Sequence, residues 1–222
     1  MIPKVIHHIW TSGNEFLEKF HSFRLSWMKC NPDYTFHFWT LDNMPFDKFT
    51  ERGAALLRSN LNYESKADVA EMEILYLFGG VKVSPDVICQ KSFNDLLKCG
   101  SFTSRSSDGH HDYCDCVIGF EKGNKILADM MDAVYDAIIK NPTVANSKDL
   151  WKYCYSPMMA ALGRCELILP EEAFSPFNIF NLDKRFSHFP GSYCVHWWCG
   201  MDQDGWSHMY DSTGGKGEVL KI

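Results

Sequence analysis

Long apolar runs are absent from this 222-residue sequence, and so is any run of lysines and arginines. A helix needs about 20 consecutive apolar residues to cross a bilayer, and no window here approaches that. The opening MIPKVIHHIW is apolar at both ends, but it is short and broken by two histidines, so it does not read as a secretory signal. The expectation is a soluble chain, cytoplasmic or otherwise intracellular. With no basic stripe and a net charge of −6, it lacks the phosphate-neutralising surface of a nucleic-acid binder.

Cysteine is plentiful, but its spacing excludes more than its number suggests. The nine residues (Cys30, Cys89, Cys99, Cys114, Cys116, Cys154, Cys165, Cys194 and Cys199) are odd in count and contain no C-x-x-C pair. That argues against both a disulfide framework and a structural zinc site, and for free buried thiols in a reducing compartment. Also missing are G-x-S-x-G, the P-loop, G-x-G-x-x-G and H-E-x-x-H. Hydrolase, kinase, dinucleotide-dehydrogenase and zinc-protease chemistry therefore have no support.

What remains is ordinary globular composition, 45% hydrophobic and 23% charged, with aromatics at 14%. The length suits one α/β domain. Residues 3–10 and 34–41 read as strands, and Phe16, Phe20, Phe23 and Trp27 recur between them as one helix face. A weaker helical stretch follows over 46–61. The clearest helix is 65–78, stopped by Gly79-Gly80. A short buried strand with an extended continuation covers 80–89, and a short helix or turn covers 92–97. Residues 101–112 are polar and read as a surface loop. Strands are expected over 114–120, 165–169 and 193–198, helices over 124–140 and 147–163, and a loop from Gly200 onward. Alternating strands and helices predict a mixed sheet covered on both faces, with its ligand crevice beyond the carboxyl ends of the strands. That would gather Trp10, Thr40, Asp42, Asp86 and His196.

The stretch GGVKVSPDV (79–87) places Lys82, Ser84 and Asp86 on one side of a core strand. A carboxylate there is costly to bury unless it is paired or holds a cation, although Asp86 also suits an Asx-turn after Pro85. Asp68, in the first turn of its helix, suits the helix dipole. His196 is either a hydrogen-bonded core residue or, if it meets Asp86, half of a site for Mn²⁺ or Mg²⁺. His7 and His8 alternate in direction, so at most one faces the crevice. Asp115 points away from Cys114 and Cys116.

These residues stand in a familiar order. IPKVIHHIW (2–10), NPDY (31–34) with FWT (38–40), KADVAE (66–71) through ILY (74–76) to GGVKVSPDV, and the later SP (156–157), FSP (174–176) and VHW (195–197) resemble the landmarks of glycosyltransferase family 32. The resemblance runs through most of the chain, and residues 63–87 are its specific part. It implies a single-domain GT-A α/β fold over 1–222, with 1–120 mainly binding nucleotide sugar and 121–222 facing the acceptor and carrying the C-terminal metal and diphosphate loop. It implies hexose transfer from a UDP- or GDP-sugar to a glycan or other hydroxyl acceptor, with retention at the anomeric carbon. Asp86 and His196 would hold Mn²⁺ or Mg²⁺. Asp68 and Asp115 would be catalytic. Ile9, Trp10, Trp39, Thr40, Ala67, Asp68, Glu71, Gly80, Lys82, Ser84, Pro85 and Asp86 would line the nucleotide-sugar site.

Three positions depart from the family's pattern. Ser84 replaces the first Asp of its DxD motif, Glu71 stands where it has Arg, and Lys82 where it has Tyr. Two expectations follow. One is a working transferase with weakened metal dependence, its electrostatics rebuilt by a Lys82–Glu71 pair. The other is a catalytically inactive nucleotide-sugar-binding or scaffold module.

Overall fold

The structure, a computed structural model, describes residues 1–10, 20–61, 63–106, 112–141 and 150–199. Val5–Ile9 (β1) and Thr35–Trp39 (β2) pair in parallel, Ile6 opposite Phe36 and Ile9 opposite Trp39. Between them in the chain lies α1 (His21–Cys30), which buries Phe23 and Trp27. The earlier part of that expected helix face, Phe16, and the turn at 11–14 lie outside the described residues. After β2 the weak helical stretch resolves into a single 3₁₀ turn and α2 (Glu51–Arg58), whose N-cap Thr50 accepts from the Gly53 amide.

The long helix α3 (Tyr63–Phe78) then leads into β3 (Gly80–Val83). Both glycines at the junction are required. Gly79 sits at φ 65° and Gly80 at φ 110°, and a Cβ on Gly80 would lie 2.6 Å from the Val5 carbonyl. β3 therefore packs closely alongside β1, in parallel, with Lys82 level with His7. The six-stranded sheet has the order β2-β1-β3-β6-β5-β7, completed by β5 (Ser101–Arg105), β6 (Tyr113–Phe120) and β7 (Leu167–Leu169). β6 is antiparallel to both β3 and β5, so the sheet is mixed, as the alternation of elements predicted.

Period-two alternation sorts β3 between two cores. Val81 and Val83 join Ile6, Trp27 and Phe93 on one face. On the other face α3, α4 (Lys125–Ile138) and α5 (Leu150–Leu162) pack Val69, Met72, Leu75, Leu127 and Leu162 over β6. Lys82 points toward this second face, from a residue only 4% exposed.

One expectation gives way. The polar stretch from Ser101 is not a loop at its start. It is strand β5, with Ser101, Thr103 and Ser104 buried. Their hydroxyls find partners inside the protein: Thr103 Oγ1 donates to the Cys114 carbonyl at 2.7 Å, and Ser101 Oγ accepts from the Glu166 amide at 3.0 Å. Buried hydroxyls so paired are compatible with a core strand. Val87–Cys89 (β4) is extended as expected, but it leaves the main sheet and pairs antiparallel with Cys194–His196 (β8). The turn Ser84-Pro85-Asp86 makes that change of sheet, closed by the Val87 amide on the Ser84 carbonyl at 3.3 Å.

Candidate active site

The chain order of the strands reverses between β1 and β3, and the crevice beyond their carboxyl ends is where an open α/β sheet binds ligands. Trp10 ends β1, Thr40 ends β2, and the Ser84–Asp86 turn ends β3. β8, paired with β4, brings His196 from far along the chain, level with Val87. Asp86 Oδ1 lies 3.2 Å from His196 Nε2, and Asp86 Oδ2 accepts from the Cys199 amide at 2.9 Å. The main-chain carbonyl of Asp86 also accepts from the Trp197 amide at 2.9 Å. One residue thus moors the segment 196–199.

Burial works against the Asp86 charge. The His196 imidazole and the Cys199 amide outweigh it and hold the carboxyl below the usual range. Burial equally opposes a charged His196, and Asp86, with Cys114 and Asp115 behind it, raises the imidazole above its ordinary value. The Trp198 ring stands 4.1 Å from the imidazole, and this residue has a positive φ of 59°. Trp10, Phe38 and Phe20 pack beside Trp197 and Cys199 in one aromatic cluster.

The second group lies under the end of β3. Lys82 Nζ is 2.7 Å from Glu71 Oε2 and donates to the Asp115 carbonyl at 3.0 Å and to Ser84 Oγ at 3.4 Å. Asp68, one turn before Glu71 on α3, and Asp115 both act on this ammonium. Burial would lower the Lys82 pKa, but Glu71, Asp115 and Asp68 more than offset it, so the lysine stays charged. For Glu71 burial dominates and raises the carboxyl, with Lys82 offsetting part of the rise. The expected Lys82–Glu71 pair is therefore formed. Asp115 faces this group, while Cys114 and Cys116 lie in the opposite core.

Several expected residues make contacts that hold the fold. Trp39 Nε1 donates to His7 Nδ1 at 3.0 Å, and its ring stacks on Phe78. His7 Nε2 in turn donates to the Gly79 carbonyl at 2.8 Å, so the neutral ring is satisfied on both nitrogens. His8 is buried as well. Gly80 stands at the opposite end of β3 from the crevice. Ile9 is buried between β1 and α3, with Met44, Ala70 and Ile74. Ala67 is half-buried beside Asp68 on α3, and Pro85 shapes the turn. The mooring of Asp86 by the Cys199 amide was not foreseen. It is a backbone contact across 113 residues, and no side-chain motif announces it.

Of the residues expected to hold a divalent cation, Asp86 and His196 are brought together. Asp86 and His196 close on each other, Ser84 offers a neutral hydroxyl beside an ammonium, and no three His, Cys, Asp or Glu side chains cluster for a metal among the described residues. Nor, among those residues, is any helix long and apolar enough to cross a membrane.

Residues 18–103 match the family model described as glycosyltransferase sugar-binding region containing DXD motif. An uncharacterized glycosyltransferase of Acanthamoeba polyphaga mimivirus is 30% identical over 150 residues, 64% of this chain and 55% of that protein. Inositol phosphoceramide mannosyltransferase 3 of Schizosaccharomyces pombe is 33% identical over 129 residues, 57% of this chain and 35% of that protein. The matched region thus spans between about a third and just over half of those relatives. Among solved structures, the glycosyltransferase GlyE of Streptococcus pneumoniae TIGR4 superposes with a TM-score of 0.56 at 10% identity, over 97% of this chain and 64% of that one. At that identity the likeness is one of fold, the GT-A fold.

Proposed function

We propose that this chain, a family-32-like glycosyltransferase of GT-A fold, transfers a hexose from a UDP- or GDP-sugar to a hydroxyl acceptor with retention at the anomeric carbon. The observation that carries this reading is the meeting of Asp86 and His196, 110 positions apart in the chain, 3.2 Å from each other at the carboxyl end of the sheet. Asp68 and Asp115 stand at the same end of β3, grouped on the Lys82 ammonium.

In this reading Asp68 accepts hydrogen bonds from donor-sugar hydroxyls and Asp115 lies against the reacting sugar. Trp10 borders the nucleotide. The bond from the anomeric carbon to the diphosphate breaks, and the acceptor oxygen bonds to that carbon on the same face. The acceptor proton passes to a diphosphate oxygen, so no second flanking carboxylate is needed. Charge growing on the leaving group is met by preformed groups, the His196 imidazole and the polar end of β3. The name of the fission-yeast relative makes mannose the first sugar to test. No disulfide is formed among the described residues, which suits a reducing compartment.

The test is donor hydrolysis without acceptor, measured for UDP- and GDP-hexoses with and without Mn²⁺ or Mg²⁺, alongside calorimetric binding. Turnover of one donor supports the transferase. Ser84 and the Lys82–Glu71 pair favour a second reading, an inactive nucleotide-sugar-binding module. Binding without any turnover, with or without a hydroxyl acceptor, would select it.

A further inference from the structure

Position 84 is where this chain loses a carboxylate, and the geometry shows what replaces it. Lys82 Nζ has three protons and three partners: Glu71 Oε2 at 2.7 Å, the Asp115 carbonyl at 3.0 Å and Ser84 Oγ at 3.4 Å. Toward the ammonium, Ser84 Oγ can act only as an acceptor, because a lysine ammonium has no lone pair. The serine's own proton is then turned away from Lys82. No acceptor for it is found among the described residues, and the residue is half-buried at the mouth of the crevice. A carboxylate here would present acceptors and repel a diphosphate unless a cation bridged them. A hydroxyl held from behind by an ammonium presents a polarised donor, which an anionic oxygen can take directly.

The same geometry works against a resident divalent cation. A hard cation seeks several oxygen ligands, preferably anionic ones. Ser84 supplies none with charge, and any ion it bound would sit beside the Lys82 ammonium. That ammonium has nowhere to go, since its side chain is 6% exposed and is fixed by an anion and a carbonyl. The other two donors, Asp86 and His196, are already joined to each other.

We infer that Ser84 is a metal-independent diphosphate anchor: Lys82 donates to Ser84 Oγ, and the Ser84 hydroxyl donates to a phosphate oxygen of the donor, where a bound divalent cation would otherwise be required. This rests on the nucleotide-sugar reading above.

Calorimetry with UDP, GDP, uridine and guanosine, each in EDTA and in Mn²⁺, separates the two. One nucleoside diphosphate is expected to bind in EDTA with a Kd within about twofold of its value in Mn²⁺, and its nucleoside to bind more weakly. Loss of one hydrogen bond to a charged oxygen predicts that Ser84→Ala weakens that binding about tenfold or more in EDTA. Ser84→Asp should bind in Mn²⁺ and lose affinity in EDTA. Binding of the diphosphate by the unaltered protein only when Mn²⁺ is present would overturn the inference while leaving the donor site standing, and this arm requires no variant to fold. An unchanged affinity in Ser84→Ala would overturn it too. Failure of all four compounds to bind in either condition would remove the donor site itself.

Discussion

Glu71 Oε2 lies 2.7 Å from Lys82 Nζ, joining helix α3 to strand β3 through side chains only 16% and 6% exposed. Both residues depart from the pattern of the family that the sequence resembles, and they depart together. Arg and Tyr at these places are exchanged for an acid and an amine that satisfy each other. A buried pair of this kind gains little over an apolar pair of similar volume, but breaking it by removing one partner costs roughly 3–5 kcal/mol.

Glu71→Leu and Lys82→Met should therefore each lower stability by several kcal/mol, while the double variant lies nearer the unaltered protein than either single one. Urea denaturation of the four proteins measures the coupling. Additive losses would mean that the two side chains do not depend on each other.

Gly80, expected at the nucleotide site, holds the junction between α3 and β3. It sits at φ 110° where β3 packs against β1, and an added Cβ would lie 2.6 Å from the Val5 carbonyl and 3.0 Å from His7 Nε2. Gly80→Ala should destabilise the protein by about 2 kcal/mol or more, from backbone strain and this clash. At a temperature where the variant remains folded, its donor affinity should match that of the unaltered protein. A selective loss of affinity with full stability would return Gly80 to the binding site.

How much of this was legible in the sequence depends on how far each feature reaches along the chain. Local signals were reliable: the α3 stripe of Val69, Met72 and Leu75, the Gly79-Gly80 stop, and β6 around Cys114–Phe120 all stand where periodicity put them. The direction of Lys82 and Ser84 followed from alternation along β3. Polarity misled at β5, because Thr103 and Ser104 are buried with their hydroxyls bonded inside the protein, and composition alone cannot show those partners. The site itself was legible only as an order of landmarks. Nothing local in HWWCG says that a backbone amide at Cys199 will reach Asp86, or that β4 will leave the main sheet to find β8.

His7 and His8 set the acid limit of the fold. Burial pushes His7 down to about 4, and burial with the nearby Arg24 pushes His8 down to about 3. The unfolded chain takes up these protons near pH 6.5, so stability is complete above that pH and is lost as the pH falls toward the depressed values. His7 alone accounts for a loss on the order of 3 kcal/mol by pH 4. His196 is raised, so its pairing contributes fully below its unfolded value and is lost only as the pH rises through the higher folded one. It is therefore constant across the acid window. Urea midpoints should fall steadily from pH 6.5 to 4. A flat profile would place both histidines in water.

Asp86 separates structure from chemistry, because its two oxygens have different tasks. Oδ2 accepts the Cys199 amide, and Oδ1 faces His196. Asp86→Asn keeps a carbonyl for the amide but removes the charge that raises the His196 pKa. It should fold, with the Trp197–Cys199 segment still moored, and yet lose donor turnover by about a hundredfold or more, the scale of removing one preorganised electrostatic group. Asp86→Ala leaves the Cys199 amide without its acceptor as well, and should lose stability along with turnover. Near-UV circular dichroism reports the packing of Trp10, Trp197 and Trp198 around the site, and donor hydrolysis reports the chemistry. If Asp86→Asn kept full turnover, the Asp86–His196 pair would be a clasp for the segment 196–199 and the reaction would have to be sought at Asp68 and Asp115 alone.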